Sequence, residues 1–357
     1  MNKIIRMIFG FKHEYPETKT KQTITILIPA FNEEKSIRDT IESCKNQVRV
    51  PDEILVVDDC SQDKTSEVAK RAGARVIRLE KNSGTKSQAQ NAGLPYIKSD
   101  ITITIDADTT LDRRAVEEII KPLSDPKVAS VCGMVIPRKI STFWEKGRFI
   151  EYLYGIRLNK GAQQNLGMAL VSSGCMSAFR SKELQEKGFK DRTLAEDMDL
   201  SWEFLIEKRN IACVTEAICY PIDPSNWKIY KNQVDRWYRS FFQNISVYKW
   251  NIFKSKRLFA FISWYLLEGL IALGSLALLP YFIISGNYIL VPLIGLNFAL
   301  IPIVVIWAAH KMGKKWLALK SIPCFFVISF INMYLFWRSF FKEWIVRDRL
   351  TVWNKGH

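Results

Sequence analysis

Two regimes of hydrophobic patterning divide the 357-residue chain. Through residues 20–225, short β-branched runs alternate with polar stretches of helical length. "ITILIPA" (24–30), "EILVVDD" (53–59), "ARVIRLE" (74–80) and "ITITID" (101–106) read as strands. Between them, 33–47, 61–73 and 85–97 read as helices, with Ser61 as the N-cap of the second. The alternation predicts an α/β domain built on a parallel sheet. Ligands of such sheets collect beyond the carboxyl ends of the strands.

From residue 258 onward the pattern changes. "LFAFISWYLLEGLIALGSLALLPYFII" (258–284) is apolar except for Glu268, and 288–309 and 321–337 carry no charge. The first two have spanning length and the third just reaches it. None shows the polar stripe of a helix in a soluble core, and Trp264, Tyr281, Tyr288, Trp307 and Trp337 fall near segment ends, as interfacial aromatics do. The third segment has Asn332 near its middle, which fits a re-entrant or tilted element as well as a full crossing. The opening "MNKIIRMIFGF" is too short to span and is interrupted by Arg6; it reads as an amphipathic segment over 1–20. The expected organisation is therefore this segment, an α/β domain over 21–225, interfacial helices over 226–257, an apolar helical region over 258–341 and a basic tail over 342–357.

Charge and cysteine content narrow the partners. The formal net charge is +15, which favours anionic lipid or phosphate-bearing ligands. There is no long Lys/Arg run and no zinc-finger or RNA-motif signature, so nucleic acid is set aside as a partner. The seven cysteines are odd in number, scattered and without C-x-x-C, which predicts free thiols in a reducing compartment.

The strand ends carry the acidic signals. "VVDDCS" ends in Asp58 and Asp59, and "ITIDAD" in Asp106 and Asp108. Carboxylates delivered to one sheet edge repel one another unless a cation or a donor-rich ligand compensates. Asp106 and Asp108, at i and i+2, can point the same way and suit Mg²⁺ or Mn²⁺ carried by substrate phosphates; taken alone, D-x-D equally fits turn or capping aspartates. In "TLAEDMDLSWEFL" (193–205), Glu196 and Asp197 open an amphipathic helix, where they favour the helix dipole or serve as a general base. Gln233, Arg236 and Trp237 in "NQVDRWYRSFF" (232–242) share one helix face that excludes Asp235. They offer hydrogen bonds to a sugar, a fork for a diphosphate and a flat apolar surface. The stretch after them, "YRSFFQNISVYKWNIFKSKR", reads as an interfacial helix lying on lipid.

With these motifs in order, the chain resembles the inverting family-2 glycosyltransferases of the GT-A fold, most of all the membrane-integrated synthases of poly-N-acetylglucosamine, chitin, hyaluronan and cellulose. The matching residues are "IPAFNEE" (28–34), "VVDDCSQDKT" (56–65), Lys86 with "QNAGL" (90–94), "DADTTLD" (106–112), "SSGCMSAFR" (172–180), "AEDMDL" (195–200) and Gln233-x-x-Arg236-Trp237. The resemblance implies that Pro29, Ala30, Glu33, Asp58, Asp59, Lys86 and Asp106 bind the nucleotide of a UDP-sugar, and that Asp108 holds Mg²⁺ or Mn²⁺ on the diphosphate. It implies Asp197 as the general base, with Glu196 beside it, and Gln233, Arg236 and Trp237 at the acceptor and diphosphate. "GCMSAF" (174–179) is implied to line the sugar pocket. One departure is Cys60, which stands where the family has Gly in "DDG".

The implied activity is processive β-linked sugar transfer to a growing polysaccharide, with N-acetylglucosamine favoured over glucose because "AEDMDLSW" looks closest to the poly-N-acetylglucosamine branch. Single transfer to a membrane lipid, as in ceramide glucosyltransferases, is the rival, helped by the small number of apolar segments unless a homo-oligomer completes a channel. A catalytically silent nucleotide-sugar scaffold is opposed by Asp108 and Asp197. The catalytic half is expected on the cytoplasmic face of the cell membrane. The lysines of "HKMGKKWLALK" (310–320) and the basic tail favour the same side, and by resemblance Trp353 and Lys355 approach the nucleotide.

Overall fold

The computed structural model describes residues 22–155, 171–286 and 291–348. The expected N-terminal segment, Trp353 and Lys355 lie outside the described residues. Eight strands form one sheet in the order β3-β2-β1-β4-β7-β6-β8-β5. They are β1 (Ile24–Ala30), β2 (Glu53–Asp58), β3 (Arg75–Arg78), β4 (Ile101–Ile105), β5 (Thr110–Leu111), β6 (Val128–Val135), β7 (Met176–Arg180) and β8 (Asn210–Tyr220). β3, β2, β1 and β4 run parallel, as the alternation predicts. Ile26 and Ile28 enter one core with Val56, Ile103 and Ile105, while Leu27 enters a second with Leu55, Val57 and Phe204. Both faces of these strands are thus covered, which is why they lack strict alternation.

Within this mostly parallel sheet, as the GT-A resemblance implies, β5 lies antiparallel to β8, and β7 antiparallel to both β4 and β6. This reversal brings the start of β7 to the finish of β4, where Asp106 N–H donates to Cys175 O at 3.4 Å. The helices of the first half are shorter than the patterns suggest: α1 (Ile37–Lys45), α2 (Thr65–Arg71) and α3 (Lys86–Gly93). Ser61 does not cap α2. Its Oγ instead accepts from Asn32 N at 2.9 Å, and Asp63 Oδ1 accepts from Thr65 N at 2.9 Å at the helix start. A carboxylate competes well for such orphan donors, and the hydroxyl is left to join the two loops. The remaining helices of this half are α4 (Ala115–Ile120), α5 (Phe143–Tyr152), α6 (Ser181–Lys187) and α7 (Glu196–Ile206).

The second half is helical: α8 (Trp227–Tyr248), α9 (Lys256–Ile284), α10 (Val291–Lys311) and α11 (Lys315–Phe340), the last continued by a π-helical turn, Phe341–Val346. Among the described residues, Lys256–Gly274 and Lys315–Val346 are long and apolar enough to cross a membrane, and Ile301–Lys311 is a shorter apolar helix. The segment expected to be short or re-entrant lies inside the unbroken 26-residue α11, about 39 Å long at 1.5 Å per residue. Its Asn332 is accounted for by protein: it accepts from Tyr230 OH at 2.6 Å and donates to Glu151 Oε1 at 2.8 Å.

α8 and α11 are joined along their length. Asp235 accepts from Arg338 and from Ser339 Oγ, and Arg239 Nε pairs with Glu343 Oε1 at 2.6 Å with both side chains buried. Phe242 is fully buried against Phe336, Phe340 and Trp344. The expectation that this stretch lies on lipid therefore differs from the structure at Phe241 and Phe242, which are covered by protein; the exposed aromatics are Trp250 and Phe253 beyond them. α5 approaches α11 at Gly147, where a Cβ would stand 2.0 Å from Ile328 Cδ1. Gly147→Ala is accordingly expected to destabilise the protein by about 1–3 kcal/mol through overpacking. Adding Ile328→Val, which deletes only that Cδ1, should recover part of the loss in thermal unfolding of detergent-purified protein. Equal melting of Gly147→Ala and wild type would show that the two helices are not in tight contact.

Candidate functional site

The site is assembled where β1, β2 and β4 end. Pro29 and Ala30 close β1 opposite Val57 and Asp58. Asp58 is fully buried, with Ser61 N donating to Oδ1 at 2.9 Å and Arg78 and Ser66 donating to Oδ2. Asp59 accepts from Ser83 N at 2.7 Å and Asn82 Nδ2 at 3.2 Å. Glu33 is buried, its backbone N–H held by Thr65 Oγ1 at 2.7 Å and its Oε2 accepting from Ser36 Oγ at 2.6 Å. Between these loops Cys60 has φ +61°, so the left-handed geometry is kept although the residue is not glycine.

Lys86, the first residue of α3, is the hub of the second cluster. Its Nζ lies 2.7 Å from Asp106 Oδ1, 3.0 Å from Glu196 Oε1 and 3.1 Å from Gly174 O. Burial would lower its pKa, but Asp106 and Glu196 outweigh that and raise it, so the ammonium stays charged. Burial likewise works to raise Glu196, yet Lys86 holds it below its ordinary value. Asp197 goes the other way: burial, then the charge of Glu196, raise it against the pull of Lys86. Gly174 N–H donates to Asp197 Oδ2 at 2.7 Å and Met198 N–H to Oδ1 at 2.8 Å. A Cβ on Gly174 would lie 2.9 Å from Asp197 Oδ2 and 3.2 Å from Lys86 Nζ, so a larger residue there would push Asp197 and Lys86 from these positions. Two adjacent carboxylates with pKa values driven apart are an acid–base arrangement in which the raised one is the better proton acceptor.

The motif on α8 reaches the same cluster. Arg236 donates to Leu194 O at 3.2 Å, and its charge lowers the pKa of both Glu196 and Asp197. A cavity of about 480 Å³ opens here, with Lys86, Arg192, Glu196, Arg236, Gln243 and Glu343 in its wall. Gln233 and Trp237 instead meet Arg148, whose Nη2 lies 3.3 Å from Gln233 Oε1 and whose guanidinium lies 4.4 Å from the Trp237 ring centroid. One face of the indole is thus occupied by a cation.

Two residues that the sequence pattern did not mark enter the site, Arg148 and Asp223. Arg148 is 1% exposed and donates to Asp223 Oδ1 at 3.4 Å, with Tyr152 OH donating to the same oxygen at 3.0 Å. Burial pushes Asp223 up to about 6 against the pull of Arg148, and the charge of Asp108 adds to the rise. No periodicity distinguishes Arg148 from a solvated charge; its position two residues after Lys146 and three before Glu151 looks like an ordinary helix face. For Asp223 the one local signal is Asp-Pro ten residues before Gln233, which reads as a turn.

Asp106 is engaged by Lys86, Asp108 is buried, and Asp223 Oδ2 is buried without a hydrogen-bond partner. Among the described residues no group of three His, Cys, Asp or Glu side chains converges as a metal cage. One or two carboxylates fit a hard cation that brings phosphate oxygens with it, as Mg²⁺ does, and do not fit zinc.

Residues 25–186 match the model of the family described as Glycosyl transferase family 2. Over 253 residues the chain is 27% identical to a poly-beta-1,6-N-acetyl-D-glucosamine synthase of Staphylococcus epidermidis, covering 69% of this chain and 61% of that protein. The corresponding synthase of Staphylococcus aureus (strain COL) is 28% identical over 215 residues, covering 57% of this chain and 52% of that protein. The match therefore spans between half and two thirds of these relatives' length. Among solved structures, a mannosyltransferase from Pyrobaculum calidifontis in complex with GDP-Man and Mn²⁺ superposes with a TM-score of 0.55 at 18% identity. That superposition covers 84% of this chain and 90% of that one, a likeness of fold.

The Cys60 backbone generates a stability prediction. A non-glycine residue in the left-handed region carries on the order of 1 kcal/mol of strain. Cys60→Gly should raise the thermal midpoint by about 1–3 °C, part of the relief being offset by glycine's unfolded-state entropy. A lowered midpoint would mean that the contact of Cys60 Sγ with Glu80 O at 3.6 Å outweighs the backbone term.

Proposed function

We propose that the chain is a family-2 glycosyltransferase that transfers a sugar from a UDP-sugar to a growing polysaccharide at a membrane, processively and with inversion, and that the sugar is N-acetylglucosamine; the family match of residues 25–186 and the mostly parallel GT-A-like sheet support this. The observation that carries this reading is the convergence on Lys86 of the D-x-D strand end and the start of α7, with Asp197 raised beside them. Similarity to the two staphylococcal synthases supports the polysaccharide and the sugar. The two apolar helices support the membrane, with the catalytic half on the cytosolic side where sugar nucleotides are made.

In this mechanism Glu33, Asp58 and Asp59 shape the uridine end of the site, and Asp58 acts through the loop it fixes with Ser61 and Arg78. Lys86 and Arg236 face the diphosphate from two sides. Asp197 takes the proton from an acceptor hydroxyl while that oxygen attacks C1 of the donor. The bond from C1 to the diphosphate oxygen breaks as the new bond forms on the opposite face, so an α-linked donor gives a β-linked product. Asp108 would hold Mg²⁺ or Mn²⁺, which when bound offsets the charge gathering on the departing diphosphate. Trp237 and Gln233 hold the acceptor end.

The full chain, purified in detergent and incubated with radiolabelled UDP-N-acetylglucosamine or UDP-glucose and Mg²⁺ or Mn²⁺, should give high-mass product from the first donor. Chelation with EDTA should stop it. A glycolipid product would replace the polysaccharide reading with single transfer, and no product from any UDP-sugar would overturn both. Asp197→Asn should lower turnover by at least about 100-fold, since an amide cannot accept the proton, while UDP affinity stays within a few-fold. In the wild type the base must be ionised and its pKa is raised, so turnover should fall as pH drops through a midpoint above the ordinary aspartate value of about 3.9. Retained turnover in Asp197→Asn would remove Asp197 from this role.

A further inference from the structure

Arg148 is a heavily engaged buried cation outside the Lys86 cluster. Its Nη1 pairs with Glu151 Oε2 at 2.8 Å, its Nε with Asp223 Oδ1 at 3.4 Å, and its Nη2 donates to Tyr152 OH at 2.9 Å and to Gln233 Oε1 at 3.3 Å. The guanidinium also lies over the rings of Trp237 at 4.4 Å and Tyr152 at 4.6 Å. Two carboxylates, a phenol, an amide and three rings, with Tyr230 at 5.8 Å the third, around one side chain 1% exposed are far more than folding a helix requires.

We infer that Arg148 is a positioning residue for the acceptor: it fixes the amide of Gln233 with its oxygen turned inward and its NH₂ group turned outward, and it backs Trp237 on one face so that a sugar ring can use the other. This rests on the glycosyltransferase reading proposed above. The orientation follows from chemistry. Arginine has five N–H donors and no acceptor, so the atom of Gln233 that faces it must be the amide oxygen. The two amide N–H groups then belong to whatever meets the far end of the side chain. The partner recognised there is a hydrogen-bond acceptor: a saccharide hydroxyl or ring oxygen, or the carbonyl of an N-acetyl group. Lysine could not substitute, because a single ammonium lacks the planar fork that reaches Gln233, Tyr152 and Asp223 together while stacking on Trp237. The same network runs on through Glu151 to Asn332 of α11, so the acceptor motif is referenced to an apolar helix as well as to the sheet.

Arg148→Lys is the discriminating variant, because it keeps a positive charge for Glu151 and Asp223 and removes the fork. In the full detergent-purified chain it should keep its thermal midpoint within a few degrees and UDP affinity within about twofold, and raise the KM for a short N-acetylglucosamine oligosaccharide about tenfold with a smaller change in kcat. Acting through Gln233 and Trp237, it should add less than about twofold to the defect of the Gln233→Ala, Trp237→Ala double variant, whereas independent effects would multiply. Losses that multiply, or a UDP affinity that falls in step with transfer, would overturn the assignment while leaving an active wild type and the proposed function in place. A wild-type chain inert with every UDP-sugar would overturn the proposed function, and the role of Arg148 with it.

Discussion

Like charges crowd the carboxyl edge of this sheet, and the fold is arranged around their compensation. Asp58, Asp59, Asp106, Asp108, Glu196, Asp197 and Asp223 come from the ends of β2, β4 and β8 and the start of α7. In water such charges would repel weakly; in a buried cleft the repulsion grows as the effective dielectric falls. Four of these acids share three built-in cations: Arg78 for Asp58, Lys86 for Asp106 and Glu196, and Arg148 for Asp223. Asp108 has the charge of Arg138 near it and adds to the raised pKa of Asp223, and Asp197 is raised although Lys86 and Arg236 both pull it down.

The antiparallel strand β7 is what makes this compensation possible. Run parallel, it would carry Gly174 and Cys175 to the opposite edge of the sheet. Reversed, it delivers Gly174 against Lys86 and Asp197, and that glycine lets the two charged side chains approach one backbone N–H and one backbone C=O. The topology and the electrostatics are therefore one feature: a sheet that switches direction after β4 presents the backbone just before β7 to Lys86 and Asp197.

Much of this was legible in the chain. Ile24–Ala30 and Ile101–Ile105 are apolar runs too short for helices, and the paired acids that follow them mark the ligand-bearing edge. Gln233, Arg236 and Trp237 could be placed on one helix face because 3.6-residue periodicity needs no tertiary knowledge. The capping of α2 was misread because Ser61 and Asp63 are both good caps, and the choice depends on Asn32, 29 residues away from Ser61. The direction of β7 was not legible, since an apolar strand carries no mark of its orientation. Arg148 and Asp223 lie 75 residues apart and acquire meaning only once folding buries them together. Phe241 and Phe242 read as lipid-facing because a helix does not record whether its apolar cover is acyl chain or another helix.

The pairs that join α8 to α11 have a consequence for how the chain can be divided. A cut after residue 255 would seem to separate an enzyme from its anchor. It would leave Asp235 without Arg338, Arg239 without Glu343 and Tyr230 without Asn332, and it would bare the rings of Phe241 and Phe242 to water. Buried charges stripped of one partner are costly in a way that lost apolar contact alone is not. The α/β half therefore has no natural seam on that side: the apolar helices cannot be shed or exchanged without rebuilding the helix that carries Gln233, Arg236 and Trp237.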